Sequence, residues 1–167
     1  MAGAALVADA ATLQLAERGR SGVDGVLDLA LGGAAAELQL DVDLSERTLI
    51  ALDNGNEVAR YAVAVGTKQY PTPRGSFRIR KVVWNPPWKP PDSPWAKGKD
   101  AKPPGHPDNP MKRVKIFFSE PDYYIHGTDE DDSLGRAESH GCFRLANWDA
   151  LTLLNLVQVG LPVMVEP

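Results

Sequence analysis

The sequence predicts a mainly β fold, a small sandwich or barrel of short strands with one short helix near its C-terminal end. Three observations carry this. Short runs alternate apolar and polar residues, as half-buried strands do. Glycine, proline and asparagine turn signals separate those runs. Helical spacing of apolar residues is clear in only one segment, Leu151–Gly160.

The elements follow in chain order. Leu38, Leu40, Val42 and Leu44 alternate with Gln39, Asp41 and Asp43, which makes the first strand. Thr48–Leu52 is the second. Asp53-Asn54-Gly55-Asn56 carries the Asn-Gly hairpin signal, because both central residues of that turn need positive φ. Val58–Val65 is the return strand, ended by Gly66. Phe77–Trp84, Val114–Phe118, Tyr123–Ile125 and Pro162–Val165 complete the set. For the helix, Asn147 is the expected N-cap and Asp149 lies in the first turn, favourable beside the positive end of the helix. Residues 1–37 are expected to form an N-terminal extension, helical over Ala4–Arg18 or loosely ordered, before a domain over 38–167.

The 167 residues suffice for one core. No apolar run is long enough to span a bilayer. Met1–Ala11 carries no positive charge ahead of its apolar part and does not read as a secretory signal. The net charge of −4 hides an asymmetry: twelve of the eighteen Lys and Arg fall between Lys68 and Lys115. They do not line a helix and no nucleic-acid motif accompanies them, so nucleic acid is not an expected partner. The run Asp129-Glu130-Asp131-Asp132 reads as a solvated loop tip. Eleven of fourteen prolines lie between Pro71 and Pro110, with Trp84, Trp88 and Trp95. Such a stretch is no regular helix or central strand. It is either a wall beside a site or a proline-braced loop whose tryptophans pack on the core.

Chemistry concentrates around the only cysteine. His126-Gly127 precedes it by sixteen positions, and the cysteine itself sits in Ser139-His140-Gly141-Cys142-Phe143-Arg144. A thiol needs help to ionise at neutral pH, its free pKa being roughly 8.5. A nearby imidazole supplies that help by accepting the proton. Gly141 would open the approach and aim a backbone N–H at an oxyanion. Arg144 offers a planar fork for a carboxylate. A lone cysteine can also be a small buried hydrophobe. A zinc site would need three or four ligands at recognised spacings, and no second cysteine exists, so no metal is expected.

Taken together, Tyr124–Thr128 and Ser133–Leu145 closely resemble the signature of the L,D-transpeptidase (YkuD-like) catalytic domain. Upstream, Pro71-Thr-Pro-Arg-Gly-Ser-Phe-Arg-Ile79 and Asn85-Pro-Pro-Trp-Lys-Pro-Pro91 resemble two further family motifs in family order. The resemblance runs from about Leu38 to Pro167. It implies a small β-sandwich-like catalytic fold with a short helix after the cysteine box. It also implies a periplasmic or wall-facing enzyme that needs no cofactor.

In such enzymes the cysteine attacks the carbonyl of the third residue of a peptidoglycan stem peptide and expels the terminal D-alanine. An amine then resolves the thioester. The amine belongs to a second stem or to an anchored lipoprotein, and water replaces it in a carboxypeptidase. By resemblance Cys142 is the nucleophile, His126 the base that forms a thiolate–imidazolium pair, and Gly127 the residue whose carbonyl orients that base. The N–H groups of Gly141 and Cys142 would hold the oxyanion, Arg144 the donor's carboxylate, and Ser139 and His140 would brace the turn. His140 is the rival base, and His106 is not assigned a role in catalysis. A papain-like peptidase, also Cys–His, has the opposite chain order. An inactive cell-wall-binding module is the remaining alternative.

Overall fold

The computed structural model describes residues 37–167. The extension over 1–37, with its Ala4–Arg18 helix, lies outside the described residues except for Glu37. The strands are β1 (Leu38–Asp43), β2 (Thr48–Asp53), β3 (Asn56–Ala62), β4 (Val65–Gly66), β5 (Gly75–Trp84), β6 (Val114–Phe118), β7 (Tyr124–Thr128), β8 (Ala137–Ser139), β9 (Phe143–Ala146) and β10 (Pro162–Glu166). One α-helix, α1, spans Asn147–Leu153. Among the described residues the fold is thus mainly β, with a single short α-helix after the cysteine box.

Eight strands form one mixed sheet in the order β3-β2-β1-β10-β5-β6-β7-β9. The β2–β3 hairpin turns on Asn54 (φ 50°) and Gly55 (φ 78°), both in the left-handed region an Asn-Gly pair tolerates. The sheet curls until its ends meet: Ala64, just past β3, exchanges two backbone hydrogen bonds with Arg144 on β9, at 2.9 and 3.0 Å. Between the facing halves lies the core, with Leu40, Val42, Leu49 and Val163 from one half and Ile116, Ile125, Phe143 and Leu145 from the other, each at most 1% exposed. Ala150 and Leu153 close it from α1.

Several boundaries differ from the sequence expectation. The return strand breaks at Ala62, and a two-residue β4 pairs instead with β8. Neither β8 nor β9 was expected. The helix ends at Leu153 and not near Gly160, because Asn155, Val157 and Val159 are poor helix formers. Asn147 is its first residue and not its cap: Ala146 takes the cap position, and the Asn147 amide donates to Asp129 Oδ1 at 2.6 Å. The proline-rich stretch is folded around a buried Asn109, whose amide donates to the carbonyls of Pro86 (2.8 Å) and Pro103 (3.2 Å). Trp88 is buried beneath it, while Trp84 stays exposed.

Candidate active site

Strands β7 and β9 run parallel, with Ile125 opposite Phe143 and His126 opposite Arg144. Alternation sends Ile125, Gly127, Phe143 and Leu145 into the core, so Tyr124, His126 and Arg144 share the other face. Cys142 immediately precedes β9 and is half-buried. On the far side β6 pairs with β7, which sets Lys115 opposite His126 and Phe117 opposite Tyr124.

His126 is buried, and its Nδ1 stands 2.8 Å from the Gly127 carbonyl. A carbonyl only accepts, so Nδ1 carries the proton and Nε2 is left as the basic nitrogen. Burial pushes the imidazole pKa down to about 4, against the carbonyls of Gly127 and Pro110 that favour the charged ring. Burial likewise pushes the Cys142 thiol up to about 11, although the Tyr124 N–H and the charges of Lys115 and Arg144 favour the thiolate. Both shifts disfavour charge. Burial thus works against both charged forms of the thiolate–imidazolium pair that the sequence suggested.

The cysteine turn is tightly braced. Buried Ser139 donates its hydroxyl to the Cys142 carbonyl at 2.6 Å and accepts the Gly141 N–H at 3.0 Å. That N–H is thus occupied and is not free to meet an oxyanion, which corrects the role read for it from sequence. Gly141 has φ 107°, and a Cβ there would lie 2.5 Å from the Tyr123 ring. Only glycine fits such a turn. From the Pro71–Ile79 stretch, buried Thr72 donates to the Gly141 carbonyl at 3.0 Å and accepts the Gly66 N–H at 2.8 Å.

The other two residues of the box point elsewhere. His140 is exposed, stacks on Trp95 with ring centroids 4.1 Å apart, and tilts against Tyr70. It is an outer part of the turn, held by the proline-rich stretch. Arg144 donates from Nη1 to Glu130 at 2.5 Å and from Nη2 to the Glu138 carbonyl at 2.8 Å. Both terminal nitrogens are thus engaged within the molecule, while its buried Nε has no partner. Asp129 meanwhile pairs with Lys112. The acidic run is therefore not merely a solvated tip: Glu130 is anchored to Arg144 of β9, and Asp129 to Lys112 ahead of β6 and to Asn147 of α1.

Sequence reasoning missed Thr72, Glu130 and Lys115. The Thr-Pro stretch marked the first without giving it a role, because its partner Gly141 lies 69 positions away. Among the described residues, no group of three or more His, Cys, Asp or Glu side chains converges as a metal site. No helix there is long and apolar enough to cross a membrane.

Comparison with known proteins gives consistent results. The YkuD family model, the L,D-transpeptidase catalytic domain, matches residues 38–165. The YkuD protein of Bacillus licheniformis, which bears the name "Putative L,D-transpeptidase YkuD", is 32% identical over 129 residues, covering 77% of this chain and 66% of that protein. An L,D-transpeptidase structure from Mycobacterium smegmatis superposes with a TM-score of 0.63 at 22% identity, over 80% of this chain and 60% of that one. L,D-transpeptidase 3 of Mycobacterium tuberculosis, solved with a faropenem-derived adduct, gives 0.63 at 22% identity over 80% and 61%. At that identity the two structures speak for the fold alone. The chain spans two thirds or less of the length of these relatives.

Proposed function

Because the chain belongs to the YkuD family of L,D-transpeptidase catalytic domains, we propose that it is a peptidoglycan L,D-transpeptidase working by cysteine acyl transfer at the cell wall. Its domain is residues 38–167, its donor a tetrapeptide stem and its acceptor an amine.

The observation that carries this reading is the hydrogen bond of His126 Nδ1 to Gly127 O, on a strand paired with β9, which Cys142 immediately precedes. It fixes the tautomer in which Nε2 can take a proton. The proton leaves the thiol as sulfur attacks the donor carbonyl, since burial works against both charged forms. The imidazolium then protonates the departing amine of D-alanine. With the Gly141 N–H bound to Ser139, the Cys142 N–H is the remaining backbone donor of the box for the oxyanion. The acceptor amine loses its proton to the same ring and resolves the thioester.

Incubation with a carbapenem, followed by intact-mass measurement, tests the proposal. One covalent adduct per chain is expected, absent in Cys142→Ala, together with D-alanine release from a tetrapeptide. A wild-type protein that forms no adduct and releases no D-alanine would refute it.

A further inference from the structure

Two cations act on the Cys142 thiol, Lys115 and Arg144. They differ in what they hold. Arg144 is already bonded to the Glu130 carboxylate and the Glu138 carbonyl. Lys115 is half-buried, and among the described residues no carboxylate lies within ion-pair distance of it. Asp122 acts on it only from further away.

What does touch Lys115 is aromatic. Its Nζ stands 3.5 Å from the Tyr124 ring centroid and 4.8 Å from that of Phe117. The rings fix the ammonium by attraction to their faces but accept none of its N–H groups in strong hydrogen bonds. Lys81 approaches the other side of Phe117, 6.0 Å from its centroid. Strand register aligns this group with the chemistry: Lys81 pairs with Phe117, Phe117 with Tyr124, and Lys115 with His126. Lys115 is therefore a fixed ammonium, with donors to spare, directly beside the base and the nucleophile.

We infer that Lys115, cradled by Phe117 and Tyr124, receives a free carboxylate of the acyl donor beside Cys142, the part expected of Arg144 by resemblance. The inference rests on the proposed function, whose donor is an anionic stem peptide. Charge complementarity favours this occupant, because a carboxylate supplies the acceptors that the rings do not. Arg144 then keeps the acidic turn in place and does not grip substrate.

The test is D-alanine release from three tetrapeptide donors, one with all carboxylates free, one amidated at its terminus and one amidated at its internal carboxylates. Each is run with wild type, Lys115→Met and Lys115→Arg, and the melting temperature is recorded for each protein. Methionine keeps an apolar stem against the rings, and arginine keeps the charge. Lys115→Met is expected to raise KM for the free donor by about tenfold or more, the size of one charge-assisted contact. The same variant should leave KM unaltered for whichever amidated donor lacks the bound carboxylate, and so identify that group. Lys115→Arg should retain most of the affinity. If wild type turns over all three donors with equal KM, or if Lys115→Met raises KM equally for all three, the assignment of Lys115 is overturned while the proposed function stands. A wild type that releases no D-alanine from any donor overturns the proposed function, and this assignment with it.

Discussion

The turn at Ser139–Cys142 is closed by neutral hydrogen bonds among buried groups, whereas the turn at Asp129–Ser133 is tied by charges at the surface to Arg144 of β9 and to Lys112 ahead of β6. Ser139 and Thr72 hold the first with hydroxyls. Lys112 and Arg144 hold the second through Asp129 and Glu130, whose side chains are 62% and 70% exposed. Hydroxyl–carbonyl bonds do not change with ionic strength or mild acid. Exposed ion pairs do, and each is worth about 0–1 kcal/mol. The nucleophile is therefore placed by the part of the site that solution conditions leave alone.

Four experiments bear on this contrast. The largest effect is on chemistry: Cys142→Ala should lose carbapenem acylation and D-alanine release entirely, with a melting temperature within a few degrees of wild type. Near-normal turnover in that variant would remove Cys142 from the reaction.

The pH dependence comes next. Folded, His126 stays neutral down to about pH 4, while the unfolded chain protonates it near 6.5. Between those values the unfolded state binds the extra proton, so stability is full above about 6.5 and falls as pH drops towards 4. At ~1.4 kcal/mol per pH unit, the loss across that window is roughly 3 kcal/mol. Denaturant melts from pH 7 to 4 should show it. His126→Gln, referred to its own value at pH 7, should show a shallower acid limb. Equal limbs in the two proteins would mean that His126 is not the group responsible.

Thr72→Val tests the neutral brace. It strands the Gly141 carbonyl and the Gly66 N–H, and should cost about 1–3 kcal/mol in a urea melt. It should also slow alkylation of Cys142 by a small neutral reagent, and neither effect should respond to salt. A loss that vanishes in high salt would contradict the comparison. Smallest is Glu130→Gln, expected to cost less than about 1 kcal/mol, with the difference from wild type fading as salt rises. It should leave the alkylation rate of Cys142 near that of wild type. An alkylation rate that falls as far as in Thr72→Val would show that the charged turn also places the thiol.

The contrast also explains what could be read in advance. Strands β1 and β2 and the Asn54-Gly55 turn follow from alternation and local turn chemistry, which act within a few residues. β9 escaped notice because Phe143-Arg144-Leu145-Ala146 is only four residues long and stands beside a glycine turn. Cys142, His126 and Arg144 stood out by residue type and spacing. Yet what Arg144 holds depends on where Glu130, fourteen positions away, lands. Likewise the pKa shifts of the thiol and imidazole come from burial, which no local pattern records.

The shift of the thiol reaches beyond transfer chemistry. Thiolates attack peroxides and disulfide reagents, whereas thiols react with them far more slowly. A cysteine whose pKa is pushed up by burial presents less thiolate at neutral pH than a free one. Cys142 should thus survive oxidising surroundings longer than an unperturbed cysteine, giving up its proton chiefly when a carbonyl is already in place to take the sulfur.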